Sequence, residues 1–122
     1  MLINLSNHPY STWSEDQKTA AIEKFGTVLD FPFPVVNPVW GIEEVSGLAD
    51  ECMEQLFQIA DKNSQVNVHL AGEFTLVYQI LERLKLSGFD AVIATSERMT
   101  LEQPDGSKVV RFRFVRFRSY FD

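Results

Sequence analysis

Ten consecutive residues constrain this chain more than any others: Val66-Asn67-Val68-His69-Leu70-Ala71-Gly72-Glu73-Phe74-Thr75. A short apolar run meets a glycine and then opens a segment with helical apolar spacing. That pattern reads as a buried strand passing directly into a helix. In an open α/β sheet such a junction lies at the ligand-binding edge. There, main-chain N–H groups and the positive end of the helix dipole point outward from the carboxyl ends of the strands. The chain is therefore expected to be a layered α/β protein with an anion site.

The remaining segments repeat the unit. Met1 to Leu5 starts a strand, and Ser6-Asn7-His8-Pro9 ends it in a loop. Ser14-Glu15-Asp16-Gln17 is a capping box, in which the Ser14 hydroxyl accepts from the Gln17 N–H and the Gln17 side chain reaches back. The spacing predicts a helix to about Phe25, with Ala20, Ala21, Ile22 and Phe25 partly buried and Gly26 as its stop. Thr27 to Phe31 reads as a second strand. Pro32, Pro34 and Pro38 then stiffen a loop, since each fixes its own φ and lacks an N–H donor. Val35, Val36, Val39 and Trp40 make that loop apolar enough to cover a pocket or meet a partner subunit. A long amphipathic helix follows from Ile42 to Asp61, with Glu43 and Glu44 in its first turn.

Asn63-Ser64-Gln65 is an expected loop, Val66 to Leu70 the third strand, and Glu73 to about Leu86 the third helix, stopped by Gly88. Phe89 to Thr95 reads as a fourth strand continuing towards Met99. Gln103-Pro104-Asp105-Gly106-Ser107 carries hairpin-turn chemistry, and Val109 to Tyr120 is the last strand. In that strand Arg111 and Arg113 share one face and Phe112 and Phe114 the other. Val115 breaks the phase, so a β-bulge near Phe114-Val115 would restore one apolar side; both faces being half-buried at a dimer contact is the alternative.

The order βαβαβα plus a hairpin, with right-handed crossovers, predicts a three-layer Rossmann-like sandwich. Its five-stranded sheet is expected to be mostly parallel, in the order 2-1-3-4-5, with the C-terminal hairpin strand at the edge. The 122 residues suit one domain, 1–122, with one core.

Composition narrows the function classes. One cysteine, Cys52, excludes an internal disulfide and any multi-cysteine metal site, and it fits a reducing compartment. No secretory signal pattern and no apolar run of about 20 residues is present, so a cytoplasmic protein without a membrane span is expected. The net charge of −6 is unevenly spread. Residues 1–62 hold ten acids and three lysines, whereas residues 63–122 hold seven acids and eight bases. A long nucleic-acid duplex is disfavoured, because it needs a broad basic face. A small anion held by a local cluster remains open.

The expected crevice gathers three strand ends, delivering Ser6-Asn7-His8, Gly72-Glu73-Phe74-Thr75 and Thr95-Ser96-Glu97-Arg98. Hydroxyls, an amide, a glycine allowing close approach and one arginine suit a phosphate or nucleotide. An unperturbed histidine has its pKa near neutrality, so His8 is read as either a general acid/base or an ordinary loop histidine before Pro9. Ser6 and Asn7 either contact ligand or cap the strand-end turn. Gly72 is either a turn glycine or a ligand contact. Glu73 suits the helix dipole and would serve as a base or hold a ribose hydroxyl. Arg98 is read as a site residue rather than half of a surface pair with Glu97.

Trp13 and Trp40 flank the crevice, and either stack on a base or cover apolar surface. His69, inside a strand, reads as a core histidine. The arginines of the last strand read mainly as protection of a sheet edge. Two separated histidines give no metal-ligand spacing, and neither the P-loop nor the G-x-G-x-x-G pattern is present. No cofactor or metal is expected.

Leu2-Ile3-Asn4-Leu5-Ser6-Asn7-His8-Pro9, the Ser14-Glu15-Asp16-Gln17 helix start, Asp30-Phe31-Pro32-Phe33-Pro34, Gly72-Glu73-Phe74-Thr75 and Thr95-Ser96-Glu97-Arg98 resemble small CRISPR-associated proteins. These are stand-alone, Rossmann-like relatives of the CARF sensor domains, and the similarity spans most of the chain. The resemblance implies a homodimer that binds a cyclic oligoadenylate second messenger, and in some members a metal-independent ring nuclease using a ribose 2′-hydroxyl as nucleophile. Carried over by position, Ser6, Asn7 and His8 would meet phosphate or adenine, and Gly72, Glu73 and Thr75 would form a second ligand-facing loop. Thr95 and Ser96 join the expected ligand-binding set from the fourth strand's end. His8, Glu73 and Arg98 are the candidate catalytic groups, although no decisive catalytic lysine or arginine matches either loop. The alternative is a non-enzymatic interaction module, with the proline loop and the Phe/Arg strand as its interface and a vestigial crevice.

Overall fold

The structure is a computed structural model that describes residues 1–63 and 65–122, so Ser64 of the expected 63–65 loop lies outside the described residues. Five strands and three helices alternate as β1 (Leu2–Ser6), α1 (Glu15–Phe25), β2 (Val28–Pro32), α2 (Ile42–Asp61), β3 (Asn67–Ala71), α3 (Phe74–Leu86), β4 (Asp90–Glu102) and β5 (Lys108–Ser119). The strands form one sheet in the order β2-β1-β3-β4-β5. The first four are parallel and β5 runs antiparallel to β4. The expected strand order and edge hairpin are both present.

Alternation along the short central strands explains where the core sits. Ile3, Leu5, Val68 and Leu70 join Ala49 and Leu56 of α2 and Leu76 and Ile80 of α3 in one apolar cluster. Leu2 and Val92 belong to a second cluster with Trp13, Ala21 and Phe117, to which α1 contributes. A period of two sends neighbouring residues to opposite faces, so β1 and β4 feed both clusters, while β3 gives Val68 and Leu70 to the first and turns His69 to the other face. Ser14 caps α1 by accepting from the Gln17 N–H at 3.2 Å. Ile22, expected to be partly buried, is exposed. It lies about 100° round α1 from Ala21, the one residue that this helix buries fully.

The hairpin departs most from a compact sheet. β3 pairs only with Asp90, Ala91 and Val92 of β4. Residues 93–102 are paired with β5 alone and extend as a two-stranded ribbon for roughly 30 Å. Its turn is closed by Gly106 N–H to Gln103 O at 2.9 Å, with Gly106 at φ 86°, where a Cβ would be strained. The register passes from Thr95–Arg116 to Ser96–Phe114, leaving Val115 unpaired. This is the expected bulge. It returns Phe117 to the face of Phe112 and Phe114, and the Phe114 and Phe117 rings meet at 5.1 Å. Arg111, Arg113, Arg116 and Arg118 take the other face, where Arg113 pairs with Glu97 at 2.6 Å.

Candidate functional site

The ribbon, the loop after β1 and the start of α1 enclose a crevice of about 510 Å³. His8, Thr12, Trp13, Ser14 and Gln17 form one side. Thr95, Ser96, Phe112 and Phe114 form the other, and His69 and Ala71 lie at the end of β3. No carboxylate lines it, although the chain carries 17 acidic residues. At the α1 start Ser14 and Gln17 line the crevice, and the Gln17 N–H is already taken by the Ser14 hydroxyl.

Beneath the crevice a row of polar side chains crosses three strands. Asn4 is in register with Asp30 of β2 and with His69 of β3. Side chains in register on parallel strands share a face, so the three side chains touch in sequence. Asn4 Nδ2 donates to Asp30 Oδ1 at 2.9 Å and to the His8 main-chain carbonyl at 2.9 Å. Both partners are acceptors, which fixes the amide orientation. Asn4 Oδ1 therefore accepts, from the Ser6 hydroxyl at 2.7 Å and from His69 Nδ1–H at 2.9 Å. The tautomer of His69 follows: Nδ1 carries the proton and Nε2 carries the lone pair.

His69 is only 3% exposed, and its Nε2 has no hydrogen-bond partner among the described residues. Its ring lies edge-on to Trp13 at 5.4 Å and to Phe117 at 5.8 Å. Burial, followed by the charge of nearby His8, pushes its pKa down from 6.5 to about 4. The imidazole is thus neutral at pH 7, with its free acceptor on a residue that lines the crevice.

The loop carrying His8 is held by its main chain. The His8 carbonyl also accepts from Trp13 Nε1–H at 2.9 Å, and the His8 N–H donates to Ser6 Oγ at 3.2 Å. The His8 side chain is exposed and lines the crevice.

Of the sequence-predicted residues, His8, Thr95 and Ser96 are brought together here. Ser6 and Asn7 line a smaller adjacent cavity of about 180 Å³, with Asn4, Asp30 and Phe33. Gly72 faces the Phe33 ring, which lies 2.6 Å from where a Cβ would be. Glu73 turns back onto its own helix. Its carboxylate accepts from the Thr75 hydroxyl at 2.6 Å and from the N–H groups of Leu76 at 2.9 Å and Thr75 at 3.1 Å. The Thr75 side chain first, and then the two main-chain donors, hold this carboxyl below its usual range. The α3 start thus caps itself rather than opening towards the crevice. Arg98 is exposed on the ribbon opposite Phe112, on the crevice's face of the strand but outside its lining.

Trp13 lines the crevice and Trp40 does not. His69, Phe112, Phe114 and the α1 start are the lining groups that sequence reasoning passed over. A signal for His69 was available: in Val68-His69-Leu70 the flanking residues face one cluster, so the histidine must face the other side, level with Asn4.

Among the described residues no group of three or more metal-ligating side chains converges, and no helix is long and apolar enough to cross a membrane. A protein-family model described as Uncharacterized protein MJ1673 family matches residues 1–118. No curated protein and no solved structure matches the chain.

Proposed function

The chain belongs to the MJ1673 family, and we propose that it binds a cyclic oligoadenylate, or another small nucleotide, in the crevice beside α1. One observation carries this reading: an aromatic-walled crevice free of carboxylates in a chain of net charge −6. Trp13, Phe112 and Phe114 offer apolar faces on which a base can stack. Thr12, Ser14, Thr95 and Ser96 offer hydroxyls, and the Gln17 side chain offers an amide, to a phosphate or sugar. The volume of about 510 Å³ falls in the range of small-molecule sites.

The reading includes a three-layer Rossmann-like domain of the CARF type and a homodimer. Val35 and Val39 of the proline loop, each 88% exposed, and Phe112, 70% exposed, support a partner subunit. Binding is better supported than cleavage. Of the three candidate catalytic residues only His8 lines the crevice, whereas Glu73 is engaged on α3 and Arg98 lies out on the ribbon.

The test is incubation with cyclic tri-, tetra- and hexa-adenylate without metal, followed by a thermal shift and chromatography. A ligand at about 100 times its Kd stabilises the native state by about 2.7 kcal/mol. One ring is expected to raise the melting temperature, and Ser96→Glu, which introduces a carboxylate, abolishes the effect. Linear products would extend the reading to a ring nuclease. No shift and no product with any ring would leave the interaction-module reading in its place.

A further inference from the structure

We infer that His69 Nε2 is the recognition acceptor of the crevice, so that its occupant must present an N–H or O–H donor at the end of β3. This rests on the crevice being the ligand site and specifies what it selects. Nε2 is buried, unpartnered and belongs to a residue lining the cavity. A buried polar atom without a partner is rare, because leaving it unsatisfied forfeits the hydrogen bond that water would supply.

Three features keep this nitrogen an acceptor. Asn4 Oδ1 takes the Nδ1 proton. Asp30 Oδ1 and the His8 carbonyl hold the Asn4 amide in the only orientation that allows it. The Trp13 and Phe117 rings pin the imidazole plane. In an Asp-Asn-His row of this kind, the hydrogen bond made at one ring nitrogen fixes the protonation of the other.

The consequence is a polarised crevice. At α1 the Ser14 hydroxyl and the Gln17 side-chain amide supply donors; at β3 His69 supplies a lone pair. A phosphate oxygen, itself an acceptor, is repelled from the His69 end and favoured at the α1 end. An exocyclic amine or a sugar hydroxyl has the opposite preference. Asn4 and Asp30 are positioning residues here, and only His69 meets the ligand.

The test uses the whole protein labelled with [¹⁵N]histidine. At pH 7 the His69 Nε2 signal is expected to be that of a bare acceptor nitrogen. Indole, an aromatic donor with no acceptor, is expected to move it, whereas 1-methylindole, which lacks the donor, does not. In His69→Phe, which keeps the aromatic packing, the roughly tenfold preference for indole expected from one hydrogen bond disappears. Asp30→Asn loosens the Asn4 amide, and the Nε2 signal broadens or splits as the second tautomer appears.

Adenosine, 2′-deoxyadenosine and inosine then identify the natural donor. Loss of the Nε2 response with the deoxy compound assigns the sugar hydroxyl, and loss with inosine assigns the amine. An Nε2 that carries the proton, or one that responds equally to both indoles or to neither, overturns the inference. An indole response without any nucleoside response leaves it standing and removes the nucleotide reading instead.

Discussion

Acid should weaken the native state through His69 in particular, and the size of the effect can be worked from its burial. The ring is held neutral in the fold with a pKa near 4, against 6.5 for the free group. Between these values the unfolded chain binds a proton that the native state does not. Stability from this residue is therefore complete above about pH 6.5 and declines as pH falls towards 4. Linkage gives a loss of about 2 kcal/mol between pH 7.5 and pH 5, rising to about 3 kcal/mol below pH 4. Asp30, which faces the row from β2, and His8, in the loop above it, are present in both proteins compared below.

The perturbation is His69→Gln, whose amide can still donate to Asn4 Oδ1 but does not titrate. Urea unfolding of both proteins at pH 7.5, 6 and 5 gives the difference directly. The wild type is expected to lose about 2 kcal/mol more than the variant over this range. Parallel curves for the two proteins would refute the reasoning, since they would mean that the imidazole protonates in the fold as easily as in water.

Other perturbations test the remaining contacts. Gly72→Ala places a Cβ 2.6 Å from the Phe33 ring and is expected to cost about 1–3 kcal/mol in urea unfolding, with Phe33→Leu in the same chain recovering most of it. Arg83 ties α3 to α2 through Asp50 Oδ1 and Ser46 Oγ, both at 2.8 Å, so Arg83→Ala should cost about 1–2 kcal/mol by the same assay. Deleting Val115 removes the bulge and leaves Arg113-Phe114-Arg116-Phe117 in unbroken alternation, so Phe117 keeps the face of Phe114; a melting temperature close to that of the wild type is expected, and a large fall would contradict the register.

The fold was legible because its signals are local and repeated. Ser14 and Gln17, Gly26, the spacing from Ile42 to Asp61 and the Pro-Asp-Gly turn each report on their own neighbourhood, and their order prescribes a parallel sheet with a hairpin at its edge. The bulge was legible from the broken Phe/Arg alternation alone. The site was harder because it is made by register. Asp30, Asn4 and His69 lie far apart in the chain and meet only through strand pairing. The length of the ribbon beyond β3, which makes Phe112 and Phe114 a wall, depends on where β3 stops pairing and not on any residue of β4. Glu73 illustrates the opposite error. A carboxylate at a helix start satisfies that helix first, and the hydroxyl of Thr75, two residues on, completes the cap before any ligand arrives.

The central claim is that the crevice between α1, the end of β3 and the ribbon is a nucleotide site. Amide resonances followed during titration with cyclic tetra-adenylate test it most directly. The account predicts that the largest changes fall on residues 8, 12–17, 69–71, 93–96 and 112–114. Changes confined to the proline loop or the outer face of α2, or none at millimolar ligand, would contradict it.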